Sequence, residues 1–163
     1  MEATNVVDLI DDDSMHGTKI VKDISTFNEM VSDLNNCNIL QHNFRSISKN
    51  FDQLVVFLEA CDIKFSVIIL TETSKIHNIK YFELQGYSLF YNESHINKAD
   101  GCIVYVRNDL KLIVTSYDTG KLKFIRIIIG NSLRSIGIVA NYRPPSSCEY
   151  DFVIDKKLIA PLE

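Results

Sequence analysis

The chain has 163 residues, 46% of them hydrophobic and 23% charged, which is enough apolar material for one domain with a core and too much for a disordered chain. Its net charge is −4, and no apolar run approaches the roughly 18–20 residues that span a bilayer. The acidic N-terminus lacks the apolar stretch of a signal peptide, and Cys37, Cys61, Cys102 and Cys148 are dispersed without paired metal spacing, so the expectation is an intracellular protein with reduced thiols.

Residues 1–36 carry eight acidic residues against Lys19 and Lys22, leaving the rest of the chain slightly basic. Met1–Val21 contains the block Asp11-Asp12-Asp13 and no sustained apolar period, and is expected as an unstructured acidic tail. Residues 22–36 read as a short amphipathic helix. Thr26-Phe27-Asn28-Glu29 has capping-box spacing, and Phe27, Met30, Val31 and Leu34 fall on one face.

Cys37–Gln41 reads as a strand running into His42-Asn43-Phe44-Arg45-Ser46. A second helix follows, with Asn50 as its candidate N-cap and Phe51, Leu54, Val55 and Leu58 as its apolar stripe. Val67–Leu70 then has the composition of a strand buried on both faces, ending in Thr71-Glu72-Thr73. This strand–helix–strand unit predicts two strands in one sheet, with Asn43–Ser46 and Thr71–Thr73 emerging at their C-terminal ends.

Beyond Glu72 the pattern becomes a succession of strands divided by turn residues. Phe82–Tyr91 holds an aromatic strand, and Asp100-Gly101 precedes Cys102–Val106. Leu112–Ser116, Leu122–Ile129 and Leu133–Ala140 follow, and Asn141-Tyr142-Arg143-Pro144-Pro145 stops the last strand. A final helix is expected from Ser147. The order predicts a mixed α/β domain.

Three predicted strand ends carry polar groups: Asn43 with Arg45, Glu72, and Tyr142 with Arg143. Taken singly, each has an ordinary role as a turn residue, a solvated loop residue or a packed ring. Together they offer one carboxylate for a hard cation, an amide, a phenol and guanidinium forks for phosphate oxygens, a set suited to metal-assisted phosphate-ester hydrolysis.

Asn43-Phe44-Arg45-Ser46, Leu70-Thr71-Glu72-Thr73, Gly86-Tyr87 with Tyr91-Asn92, Asp100-Gly101 before Ile103–Val106, and Asn141–Pro145 occur in an order that resembles the endonuclease domain of jockey-like non-LTR retrotransposons, in the exonuclease–endonuclease–phosphatase superfamily. The resemblance covers Cys37 to about Ser147. It implies a partial two-sheet α/β sandwich over residues 37–163 and Mg²⁺-dependent cleavage of DNA. Glu72 would be the Mg²⁺ ligand, Asn43 and Tyr142 catalytic groups at the scissile phosphate, and Arg45 and Arg143 phosphate contacts.

The sequence departs from that family after Tyr142. Neither the Asp-Phe-Asn nor the Ser-Asp-His motif follows, and all four histidines, His16, His42, His77 and His95, precede it. The expectation is therefore the N-terminal part of such a nuclease, truncated, with weak or absent Mg²⁺ binding and no activity alone. Its implied partners are DNA, the second half of the domain and a reverse transcriptase domain, in the nucleus or cytoplasm and away from membranes. The competing expectation is a non-catalytic fragment or repurposed binding protein.

Overall fold

The computed structural model describes residues 7–11, 17–21, 23–31, 37–74, 76–92, 101–118, 123–130 and 135–141. The chain divides into two compact units, Met1–Asn38 with Asp52–Lys64, and Ile39–Phe51 with Phe65–Glu163.

In the first unit, β1 (Val7–Asp11) and β2 (Gly17–Val21) pair antiparallel. This differs from the unstructured tail expected of Met1–Val21. Both segments are rich in aliphatic and β-branched residues, which suit a paired strand, and the acidic block falls largely between them. Helix α1 (Ile24–Val31) follows. Its cap is Asp23, whose Oδ1 accepts from the Thr26 N–H at 2.8 Å and whose Oδ2 accepts from the Thr26 hydroxyl at 3.1 Å. Thr26 is thus the third helical residue, not the start of the capping box the sequence suggested, because the aspartate three residues earlier already satisfies its amide. These bonds hold the exposed Asp23 carboxyl below the ordinary aspartate range.

Helix α2 (Ile47–Ala60) belongs to both units. In the first, Phe57 packs against the buried Phe27 ring with centroids 6.3 Å apart. The Asn28 amide donates to the Ala60 carbonyl at 3.0 Å, and its oxygen accepts from the Asp62 N–H at 3.1 Å. One side chain thereby closes the end of α2, where carbonyls lack intrahelical donors.

The second unit holds two sheets. The four-stranded sheet runs β3 (Ile39–Asn43), β4 (Val67–Thr71), β6 (Cys102–Arg107), β5 (Tyr87–Asn92). β3 and β4 are parallel, and the other pairs are antiparallel. The three-stranded sheet is the antiparallel meander β7 (Leu112–Asp118), β8 (Lys123–Gly130), β9 (Ser135–Asn141). Val67, Ile69, Cys102, Val104 and Val106 of the first sheet form one core with Ile125, Ile127, Ile129, Ile138 and Ala140 of the second. Alternation sends Ile68, Leu70, Ile103 and Tyr105, all fully buried, to the opposite face of the first sheet. β4 is central and buried at all five positions, which is why Val67–Leu70 is an unbroken apolar run. The result is the mixed α/β, two-sheet arrangement expected from the sequence.

Several boundaries differ from the sequence expectation. β3 is Ile39–Asn43 rather than Cys37–Gln41; pairing with β4 sets its register, and the sheet edge tolerates exposed Gln41, His42 and Asn43. α2 begins at Ile47 rather than after Asn50, and the Asn50 amide donates back to the Phe44 carbonyl at 2.7 Å. The aromatic strand expected within Phe82–Tyr91 is β5, from Tyr87, and Phe82 closes a 3₁₀ turn, Ile79–Phe82, whose Asn78 cap accepts from the Lys80 N–H. The helix expected from Ser147 lies outside the described residues. No helix among the described residues is long and apolar enough to cross a membrane.

Candidate functional site

One row of residues crosses the end of the first sheet: Asn43 opposite Thr71, Thr71 opposite Cys102, and Cys102 opposite Asn92. β3 and β4 are parallel, so their C-terminal ends lie together, and the loops 44–46 and 72–74 leave the sheet side by side. The Phe44 N–H donates to the Thr71 carbonyl at 2.8 Å, which carries the pairing one step beyond the strands.

Both loops are backbone-strained. Arg45 has φ +52°, Ser46 +144°, Glu72 +56° and Ser74 +62°, and these are the non-glycine residues with positive φ among those described. Such conformations cost on the order of 1–3 kcal/mol each and persist only where surrounding contacts impose them. In the second loop the anchor is Thr73, whose residue is fully buried. Its carbonyl accepts from the Ile47 N–H at 2.9 Å, at the start of α2, and its own N–H donates to the Gly101 carbonyl at 3.4 Å. The loop is therefore stitched to α2 on one side and to the chain entering β6 on the other. Glu72 remains half-buried, while Asn43 and Arg45 are exposed.

The structure thus brings Asn43, Arg45 and Glu72 to one end of one sheet. Tyr142 and Arg143, which directly follow β9, lie outside the described residues. Beside Asn43, the His42 ring meets Phe44 edge-on at 5.7 Å, and partial loss of hydration lowers the histidine pKa from its ordinary value. Among the described residues no three His, Cys, Asp or Glu side chains gather. The side chains with a carboxylate or amide oxygen at this end of β3 and β4 are Glu72 and Asn43. That pair fits Mg²⁺, which keeps several waters and takes one or two protein carboxylates plus phosphate oxygens; it does not fit an all-protein transition-metal cage.

Sequence reading found the two strand-end groups but not the residues that hold them. Thr73 and Gly101 occur in the sequence as the flank of Glu72, as a turn signal and within the motifs of the resemblance, with no sign that the two meet. The paired glycine and threonine become visible as partners once β6 pairs with β4.

No family model matches the chain, and no curated protein matches it. Among solved structures it is similar to the endonuclease domain of TRAS1, a telomere-specific non-LTR retrotransposon, at 15% identity and a TM-score of 0.49, over 75% of this chain and 52% of that one. The chain spans about half the length of the structure it matches.

Proposed function

We propose that this chain binds a DNA phosphodiester beside Mg²⁺ at the C-terminal ends of β3 and β4, as part of a retroelement-type endonuclease site. The observation that supports this best is the pairing of Asn43 with Thr71, which sets an amide and the Glu72 carboxylate at the same end of a rigid sheet. Glu72 would hold the cation, and Asn43 would orient a phosphate oxygen or a cation-bound water through its amide. The exposed Arg45 offers a fork for phosphate oxygens, and the family resemblance would add Tyr142 and Arg143 as further phosphate-facing groups. Bound Mg²⁺ would supply Lewis-acid polarisation of the phosphoryl group. DNA as ligand implies an intracellular setting, in the nucleus or cytoplasm, with a complementary half-domain and a reverse transcriptase domain as the expected partners.

The residues that would generate hydroxide and orient the phosphate in the resembling family, Asp-Phe-Asn and Ser-Asp-His, do not occur after Tyr142 in these 163 residues. Losing a positioned general base typically lowers a rate by about 10²–10⁴-fold. The second reading is a non-catalytic protein that binds DNA or another partner. Residues 1–163 alone are expected to bind Mg²⁺ weakly and to leave plasmid and abasic-site DNA intact. Titration of Mn²⁺ into the isotope-labelled chain should broaden the Glu72 and Asn43 resonances, and Glu72→Gln should abolish that effect. Unchanged spectra would overturn the site. Nicking by the purified chain that disappears in Glu72→Gln would overturn the non-catalytic reading.

A further inference from the structure

We propose that Thr73 and Gly101 form a steric lock that positions Glu72, acting through shape rather than through the threonine hydroxyl. The importance of Glu72 rests on the functional reading above; the lock itself rests on the geometry of the two residues.

Thr73 is fully buried, and its Oγ1 has no hydrogen-bond partner. A buried hydroxyl left unsatisfied is unfavourable, so hydrogen bonding does not account for this side chain. What it meets is the Gly101 backbone. A Cβ on residue 101 would lie 2.6 Å from Thr73 Oγ1, 3.6 Å from the Ser74 carbonyl oxygen and 3.7 Å from the Ser74 nitrogen. The first distance is well inside van der Waals contact. Gly101 also has φ +114°, where a side chain is strained in any surroundings. Both the fit and the backbone therefore require glycine.

The consequence falls on the neighbours of Thr73. Glu72 and Ser74 stand on either side of it at φ +56° and +62°, and neither residue type favours that region. A loop free to relax would leave it. With its carbonyl held by Ile47, its N–H directed to the Gly101 carbonyl and its side chain pressed on Gly101, Thr73 can neither rotate nor rise out of the core. Glu72 is then held half-buried at the sheet end, one residue past the Asn43–Thr71 pair. Thr73 and Gly101 are positioning residues, with no contact to the ligand.

The test uses the full isotope-labelled chain, with backbone couplings that report the Glu72 φ and Mn²⁺ broadening that reports its affinity. Gly101→Ala should move Glu72 out of the positive-φ region and weaken Mn²⁺ binding by about 10–100-fold, the usual cost of losing an outer support of a metal ligand. Thr73→Val, which keeps the shape and removes the hydroxyl, should leave both readings unchanged. In a Thr73→Ala background the further change to Gly101→Ala should cost much less than in the unmodified chain, because the clash has gone and only the backbone strain remains. If Gly101→Ala unfolds the chain, Thr73→Ala alone carries the test, since loosening should appear as averaged Glu72 couplings. Native couplings and affinity in folded Gly101→Ala, or losses in Thr73→Val equal to those in Thr73→Ala, would overturn the lock. An unmodified chain with no Mn²⁺ effect at Glu72 would remove the functional reading, while the φ couplings of the variants would still decide the lock.

Discussion

Asn43 and Thr71 are the last residues of two parallel strands and stand opposite each other in register. The distance from Asn43 to the Glu72 backbone is therefore set by a sheet ladder, not by loop conformation. A second carboxylate at position 43 should face the same cation as Glu72. Asn43→Asp is expected to tighten Mg²⁺ binding by roughly tenfold, since affinity for hard cations follows the number of charged oxygens offered. Isothermal titration of the two proteins with MgCl₂ measures it. Equal affinities would mean that Asn43 and Glu72 do not share a cation.

Ser74 lies at φ +62°, where glycine carries no steric penalty. Ser74→Gly should relieve strain on the order of 1 kcal/mol or more, offset by about 0.5–1 kcal/mol from the greater freedom of glycine in the unfolded chain. The expected outcome is a small gain in stability, up to about 1 kcal/mol, read as a higher urea midpoint at unchanged slope.

Tyr105 is fully buried, and its hydroxyl donates to the Phe82 carbonyl at 2.7 Å. Desolvation holds the phenol pKa above the ordinary tyrosine value of 10.0. As pH rises past that value, the unfolded phenol releases a proton that the folded one retains, so alkali favours the unfolded chain. Stability should fall as pH climbs above about 10, from the ordinary value up to the raised folded one. Tyr105→Phe should flatten that alkaline decline while costing roughly 1–2 kcal/mol near neutrality for the lost hydrogen bond. Urea unfolding curves from pH 7 to 11 on both proteins measure the difference. Parallel curves for the two would contradict the assignment.

Cys102 sits in the same row as Asn43 and Thr71, 2% exposed, with burial pushing its thiol up to about 12. Only the thiolate reacts at an appreciable rate. Iodoacetamide at pH 8 should leave Cys102 unmodified in the native chain and label it on unfolding, while the partly exposed Cys37 is labelled in both states. Peptide mass spectrometry of the alkylated protein follows each site. Rapid native labelling of Cys102 would show that this end of the sheet opens readily.

The legible parts of this protein are those whose physics is local. A strand covered on both faces has no room for polar side chains, so Val67–Leu70 announces β4 and marks Glu72 as the first residue beyond it. The apolar stripe of Phe51, Leu54, Val55 and Leu58 announces α2 by its period alone, and the turn residues after Asn92 separate the later strands. Tertiary structure decided what depends on which orphaned backbone groups find partners. Asp23 rather than Thr26 caps α1, and Asn50 donates to Phe44 from inside α2 instead of starting it. β3 slides to Ile39–Asn43 because its ladder to β4 ends at Thr71. The setting of Glu72 is the furthest from local control. Its backbone conformation is disfavoured by its own residue type and is imposed by Thr73 wedged against Gly101 and bonded to Ile47. Those contacts join segments distant in sequence, and they exist only after β4 has paired with β6 and α2 has started beside it.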